Sequence, residues 1–408
     1  MTVFLARDGE LADQSFLKAN NFASSLNNRR DFRYRQFSDE AVYSFVGFVI
    51  NDIGDSLVVL PKHFLCKDTN LDASMLFRVM SLHPQMHPDK YVGEQNLHFE
   101  SNYPFDSYFY VYNYYKKYGL YHEIEQQVSL NSSGRIDWKR TIQQSAKIPV
   151  DDTIVFLPIK YRATKNVATL ITDCMAFVIA YTVSRFGFLL GGDFNFSAPA
   201  TNLLNSREYI VGKLIEERNH SFLDNKIQLI DALIKFFSGV NEGGPYYLKH
   251  YSFEKIWESA VLSYLRTHFE GVRDGKMKLS DSPLTFSAFD KAHYALNTAK
   301  PGQTMEPDYY LLNDNFQCIF DAKYYSSMEE IDYKQLVYTM LLSHLTNPVS
   351  GEEYQIDTCS ALILPSETRS SKLHFKIDDH QVHLEKSLEV YEERLPASDV
   401  LHYYESII

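Results

Sequence analysis

The chain has 408 residues, 45% of them hydrophobic and 23% charged, which suits two or three globular domains that bury their own cores without disulfides or structural metal. A net charge of −12 excludes a protein that coats nucleic acid by bulk attraction, although carboxylates that grip metal remain compatible with a nuclease. The four cysteines (Cys66, Cys174, Cys318, Cys359) form no CxxC pair and no secretory leader is evident, so a reduced cytoplasmic setting is expected.

Up to about Tyr121, short apolar runs alternate with turn residues. Residues 42–50 and 56–60 predict strands around a turn at 51–55. Just before them, Arg29, Arg30, Arg33 and Arg35 interleave with Phe32 and Tyr34. Such a cluster suits phosphate, an acidic partner or a plain solvated strand face. Residues 72–82 fit a short amphipathic helix, and His83 and His87 fall in HPQMHP, a predicted loop with little promise as a metal site. The stretch 103–121 is crowded with Tyr and Phe, and Tyr108, Tyr110 and Tyr112 alternate with Phe109 and Val111. Tyr114, Tyr115 and Tyr118 instead fit the start of a helix. Base stacking is one use of such a run, but a large ring with a polar tip more often builds a core or interface.

From about Gln126 the character changes. A loop at Asn131-Ser132-Ser133-Gly134 leads into Arg135, Lys139 and Arg140 around Trp138. This patch could meet phosphates, or it could be a structural Trp among surface charges. Residues 153–159 predict a strand, and 166–186 and 206–237 predict a helical layer. Residues 167–183 are apolar enough to raise a membrane span, but Asp173 lies inside them. A buried helix is expected, with no membrane partner. Residues 241–245, Asn-Glu-Gly-Gly-Pro, are the clearest linker.

Beyond the linker an αβ pattern follows: a helix at 253–268, strands at 308–312 and 316–325, a helix at 331–345 and a strand at 358–364. The polar Asn313-Asp314-Asn315 between two apolar runs predicts a hairpin, since Asp and Asn tolerate the backbone of a tight turn. With Asp314 and Asn315 as a two-residue turn, Asp308 stands directly opposite Asp321, with Cβ atoms roughly 4.5–5.5 Å apart. Facing carboxylates repel unless a cation lies between them, and both offer the hard oxygens that Mg²⁺ prefers. Strand alternation puts Lys323 on the face of Asp321. Two acids, a lysine, a metal and a water make a kit for phosphodiester hydrolysis. The bland alternative has Asp308 capping a turn and Asp321 paired with Lys323 on a solvated face. The apolar Cys318-Ile319-Phe320 immediately before Asp321 argues against that.

Pro307-Asp308 with Asp321-Ala322-Lys323 resembles the signature of the PD-(D/E)xK nuclease superfamily. That resemblance implies an α/β, restriction-endonuclease-like core: a mixed sheet flanked by helices, here with a helical layer and an N-terminal α+β domain. It also implies an acidic residue on the preceding helix, for which Glu258 is the match and Glu254, one turn earlier, the alternative. Gly134-Arg135-Ile136-x-Trp138-x-x-Thr141-Ile142 and Asp332-x-x-Gln335-Leu336-x-x-Tyr338 narrow the resemblance to McrC-like and LlaJI-type restriction subunits, over roughly residues 130–340. In that light Asp308, Asp321 and Glu258 bind Mg²⁺, with Mn²⁺ able to substitute, Lys323 is catalytic, and Gln335 supports the site from the next helix. The resemblance further implies DNA as substrate, a role in anti-phage restriction, and a separate McrB-like AAA+ GTPase partner that docks before residue 130. No GxxxxGK[ST] phosphate loop occurs, since Gly191-Gly192 and Gly243-Gly244 lack the lysine, so this chain itself is expected to bind no nucleotide. The expected domains are a partner-binding domain at 1–125, a connecting and helical region at 126–245 and the nuclease at 246–408. Two rival readings are a stand-alone nuclease of repair or transposition and a non-catalytic scaffold that activates an AAA+ ring.

Overall fold

The computed structural model describes residues 2–35, 40–91, 98–129, 135–190, 196, 202–241, 243–284, 286–297, 299–313, 316–345, 351, 357–377 and 388–408. The expected loop at 131–134 and the turn pair Asp314-Asn315 lie outside them. The chain is mixed α/β and divides into two compact units. One comprises Met1–Tyr103, Phe188–Gly191 and Gly243–Ile408; the other comprises Pro104–Gly187 and Gly192–Glu242. This differs from a division into three parts along the chain. The first hundred or so residues share a unit with the expected nuclease region, and a strand at the start of that region, Tyr246–His250, completes the sheet of the early strands.

That sheet orders Val3–Arg7, Ser56–Leu60, Val46–Ile50, Tyr246–His250 and Phe99–Ser101 side by side. The first pair is parallel and the others are antiparallel. Strand Tyr246–His250, directly after the Gly-Gly-Pro linker, has no strong local signature and forms by pairing with distant partners. Its Lys249 lies opposite Gly47, where any Cβ would sit 2.0 Å from the Leu248 carbonyl oxygen. Only glycine permits that approach. The Lys249 ammonium is buried and donates to Asp31 Oδ2 at 2.6 Å and to the Ser25 carbonyl at 2.7 Å. The Tyr251 hydroxyl donates to the other Asp31 oxygen at 2.7 Å.

Helix Thr69–Met86 starts at an Asp68 cap that accepts from the Asn70 and Leu71 amides. It runs on through Pro84, so the expected HPQMHP loop is helical up to Met86. Packing explains the difference: Met80 and His83 are fully buried. Both His83 nitrogens are engaged, with Tyr91 at 2.8 Å and Ser259 at 2.9 Å, which offsets the hydrogen bond that Pro84 forfeits.

A second five-stranded sheet in the same unit has the order Tyr309–Leu312, Phe316–Ala322, Asp357–Ser366, Glu389–Pro396, Ser370–Lys376. Its outer pairs are antiparallel and its inner pairs parallel, a mixed sheet as expected. Residues 317–322 are all buried, which requires cover on both faces. Helix Tyr333–Leu342 covers part of one face, packing Leu342 and Tyr338 with Met305, Tyr310 and Ile319. Helix Glu254–His268 also contacts the Phe316–Ala322 strand and packs against Ala397–Ile407.

In the other unit, His122–Ser129, Tyr161–Ala168 and Arg135–Ile136 form a three-stranded antiparallel sheet. The Tyr-rich stretch is helical throughout Phe105–Tyr118, and Phe105, Tyr108, Phe109 and Val111 form its buried face. Helix Leu170–Leu190 is long and apolar enough by composition to cross a membrane, with 56% of the window Leu170–Gly187 buried. Its Ile171, Cys174, Met175, Val178 and Ile179 face inward. Residues 206–237 divide into helices Arg207–Asn219 and Asp224–Gly239.

Gly47→Ala is expected to destabilise the chain by about 1–3 kcal/mol, the usual cost of forcing atoms into a packed site. The urea midpoint measures it, and a variant that unfolds with the wild type contradicts the close approach at Leu248.

Candidate active site

The hairpin has the register that its turn chemistry predicts. Tyr309 pairs with Phe320, Tyr310 with Ile319, Leu311 with Cys318 and Leu312 with Gln317. Asn313 closes the strand ends: its amide donates to the Phe316 carbonyl at 3.1 Å, and its side chain accepts from the Phe316 amide at 2.8 Å. Continuing that register by one residue sets Asp308 against Asp321, and the two carboxyl groups hydrogen-bond to each other. Asp321 is 2% exposed and Asp308 half-buried. Burial, then the hydrogen bond and repulsion from Asp321, push Asp308 up to about 8, against the pull of Lys334. Burial acts to raise Asp321 too, but the hydrogen bond from Asp308 and the charges of Lys323 and Lys334 hold it below the ordinary carboxylate value. Burial and mutual repulsion thus favour a proton shared by the pair, with Asp308 the more readily protonated partner.

Lys323 lies on the same side as Asp321. Its ammonium contacts Asp321 Oδ2 directly and Asp332 Oδ2 at 3.1 Å, and its backbone amide donates to the Ile363 carbonyl at 2.9 Å. Burial works to lower its pKa, but the two carboxylates outweigh this and hold it above the ordinary lysine value. Asp332 also caps the following helix, accepting from the Gln335 amide at 2.8 Å. Gln335 is buried away from this surface. Its amide nitrogen donates to the Ile319 carbonyl at 2.6 Å and to Ser360 Oγ at 2.8 Å, which braces two neighbouring strands.

A cation beside these carboxylates escaped the sequence reading. Lys334, in the first turn of that helix, holds its ammonium 3.7 Å from Asp321 Oδ1 and 4.0 Å from Asp308 Oδ1. The only hint was its place in the Asp332–Tyr338 segment, where Asp332, Gln335 and Tyr338 had drawn the attention.

These groups open into a cavity of about 460 Å³. Glu254 and Glu258 line it, as do Asp8, Arg33 and Lys62 from the start of the chain. Glu258 forms an ion pair with Lys90 at 3.5 Å. Among the described residues no group of three or more His, Cys, Asp or Glu side chains could hold a metal ion, so the expected three-acid set is not assembled. Two carboxylates are. That smaller set is what Mg²⁺ commonly takes from a protein, its other positions going to water and phosphate, and a divalent ion could replace the proton the pair now shares.

The four arginines part ways. Arg29 is exposed, Arg30 pairs with Glu100 at 3.1 Å and covers the Tyr251 ring, and Arg35 pairs with Glu40 at 3.3 Å. Only Arg33 reaches the cavity lining. Arg135, Lys139 and Arg140 belong to the other unit, where Trp138 is 55% exposed and Asp137 pairs with Arg140 and Arg162.

The sequence model of the LlaJI restriction endonuclease family matches residues 45–380. This chain belongs to that family. The match begins well before residue 130, where the recognisable motifs start, and so takes in most of the first sheet. No curated protein sequence matches the chain significantly. Among solved structures, a chain of an assembly of Thermococcus gammatolerans McrB AAA+ hexamers with bound McrC aligns over 100% of both chains, at 12% identity and a TM-score of 0.38. A chain of the Thermococcus gammatolerans McrBC complex aligns over 63% of this chain and 85% of its own, at 12% identity and a TM-score of 0.24. Neither superposition is close enough to define a shared fold.

The shared proton carries a signed pH effect. Between about pH 4 and pH 8, Asp308 is protonated when folded and ionised when unfolded. The folded state then holds the extra proton, so without divalent ions this group's contribution to stability is complete at low pH and is lost as pH rises through 8. Asp308→Asn, a permanent mimic of the protonated form, is expected to flatten that decline. Urea midpoints across this range test it, and parallel curves for variant and wild type refute the shared proton.

Proposed function

We propose that this chain is the Mg²⁺-dependent nuclease subunit of a restriction system, built on a PD-(D/E)xK core and hydrolysing DNA phosphodiester bonds. The single observation that carries the reading is the hairpin register that sets Asp308 against Asp321 with Lys323 beside them. Asp308 and Asp321 would hold the ion, and Glu258 would assist once freed from Lys90. When bound, Mg²⁺ supplies charge neutralisation at the phosphoryl oxygens and lowers the pKa of water.

The chain's own groups do the rest. Lys323 keeps its charge because Asp321 and Asp332 flank it. It can donate hydrogen bonds to the attacking water or to a non-bridging phosphate oxygen, where negative charge grows in the transition state. Lys334 stands on the open side of the same carboxylates and is half exposed, so a phosphate entering the cavity draws its ammonium outward. Gln335 and Asp332 act at one remove, by holding the strand and the lysine in place. The absence of a phosphate-loop motif from this sequence, together with membership of the LlaJI family, supports a separate AAA+ GTPase of the McrB kind as the source of nucleotide hydrolysis.

Asp321→Ala and Lys323→Ala are each expected to lower Mg²⁺-dependent nicking of supercoiled plasmid by about 10²-fold or more, with the partner GTPase present. Circular dichroism and gel filtration confirm that the variants fold. An Asp321→Ala chain that restricts DNA as the wild type does overturns the reading and favours a scaffold that activates an AAA+ ring.

A further inference from the structure

The strand Phe32–Tyr34 is held in place from beneath. Asp31, immediately before it, is fully buried against Lys249, Tyr251 and the Asn27 amide. Phe32 packs into the core at 5% exposure, so alternation turns Arg33 to the other side, where it is exposed and lines the cavity of Asp308 and Asp321. The same wall is tied to the residue after Lys323. The Lys62 amide donates to the Tyr324 hydroxyl at 2.9 Å, and the Lys62 ammonium lies 4.4 Å from the Tyr324 ring centroid.

The charges of the cavity separate into committed and free. Lys62 is paired with Asp8 at 3.3 Å, Lys323 with Asp321 and Asp332, and Glu258 with Lys90. Lys334 faces both central carboxylates. Among the described residues Arg33 forms no direct salt bridge, unlike Arg30 and Arg35 on either side of it, and its charge acts on the Asp8 carboxylate from beyond contact. In a chain of net charge −12, a guanidinium without a direct salt bridge, on a braced strand and lining the cavity of Asp308 and Asp321, is placed to meet an incoming anion. Its planar fork matches two oxygens of a phosphate. We propose that Arg33 grips a DNA backbone phosphate beside the scissile bond, making the N-terminal segment part of the nuclease site. This rests on the reading of the cavity as a phosphodiesterase site.

The test is fluorescence anisotropy with a short labelled duplex, in Ca²⁺ so that binding is read without cleavage, across a salt series. Arg33→Gln is expected to weaken binding by roughly five- to tenfold and to make the slope of log K against log salt shallower by about 1. Arg33→Lys keeps the charge and is expected to retain the wild-type slope. Lys18→Gln makes the same charge change away from the cavity and should leave both affinity and slope alone. Wild-type affinity and slope in Arg33→Gln overturn the proposal, as does a wild-type chain that binds the duplex no better than this variant. An Arg33→Gln chain that binds duplex normally but no longer associates with the GTPase assigns the residue to partner docking, and also overturns it. Failure of the nuclease reading shows elsewhere, as retained cleavage by Asp321→Ala, because the anisotropy needs no turnover.

Discussion

Two carboxylates on neighbouring strands, paired by backbone hydrogen bonds they cannot escape, are the constraint around which this site is organised. The ladder from Tyr309–Phe320 to Leu312–Gln317 leaves Asp308 and Asp321 no freedom to move apart without losing strand pairing. Their repulsion must be answered on the spot. The chain answers it three ways at once: a proton on Asp308, an ammonium from the same strand at Lys323, and a second ammonium from the next helix at Lys334. On the proposed reading, a divalent cation would take over part of that neutralisation.

The surroundings keep that arrangement stiff. Gln335 bonds the backbone of one strand and the side chain of the next, while Asp332 serves both as helix cap and as the second partner of Lys323. On the opposite side the wall comes from the beginning of the chain, fastened at Tyr324 by Lys62 and at Ser326 by His63, whose Nε2 lies 3.1 Å from the carbonyl. Family membership from residue 45 onward agrees with a first sheet that is integral to the protein rather than an appendage.

The hairpin was legible in the sequence because its determinants are local: turn residues between two apolar runs, and a pleat that repeats every second residue. Asp308, Asp321 and Lys323 follow from that arithmetic. Lys334 does not, because its approach depends on the path of residues 324–332 and the direction in which the next helix sets off. Asp8, Arg33 and Lys62 were illegible as cavity residues for a plainer reason. Their nearness to Asp321 is created by pairing between segments far apart in sequence, and no spacing rule reaches that far. Strand Tyr246–His250 belongs to the same class. The helix through Pro84 shows the reverse failure, a strong local breaker overruled by the burial of His83. Glu258 is on the helix that the resemblance implies and at the cavity, but its partner is Lys90, which no pattern on its own helix announces.

The insertion of Tyr246–His250 between Val46–Ile50 and Phe99–Ser101 has a consequence for biosynthesis. On the ribosome, the early strands emerge with one edge bare and with Asp31 lacking its ammonium, and they stay so while the whole of the other unit is translated. The buried pair can form only after that, when Lys249 arrives, so this layer matures in a late, long-range step. Until then an exposed strand edge is open to wrong partners.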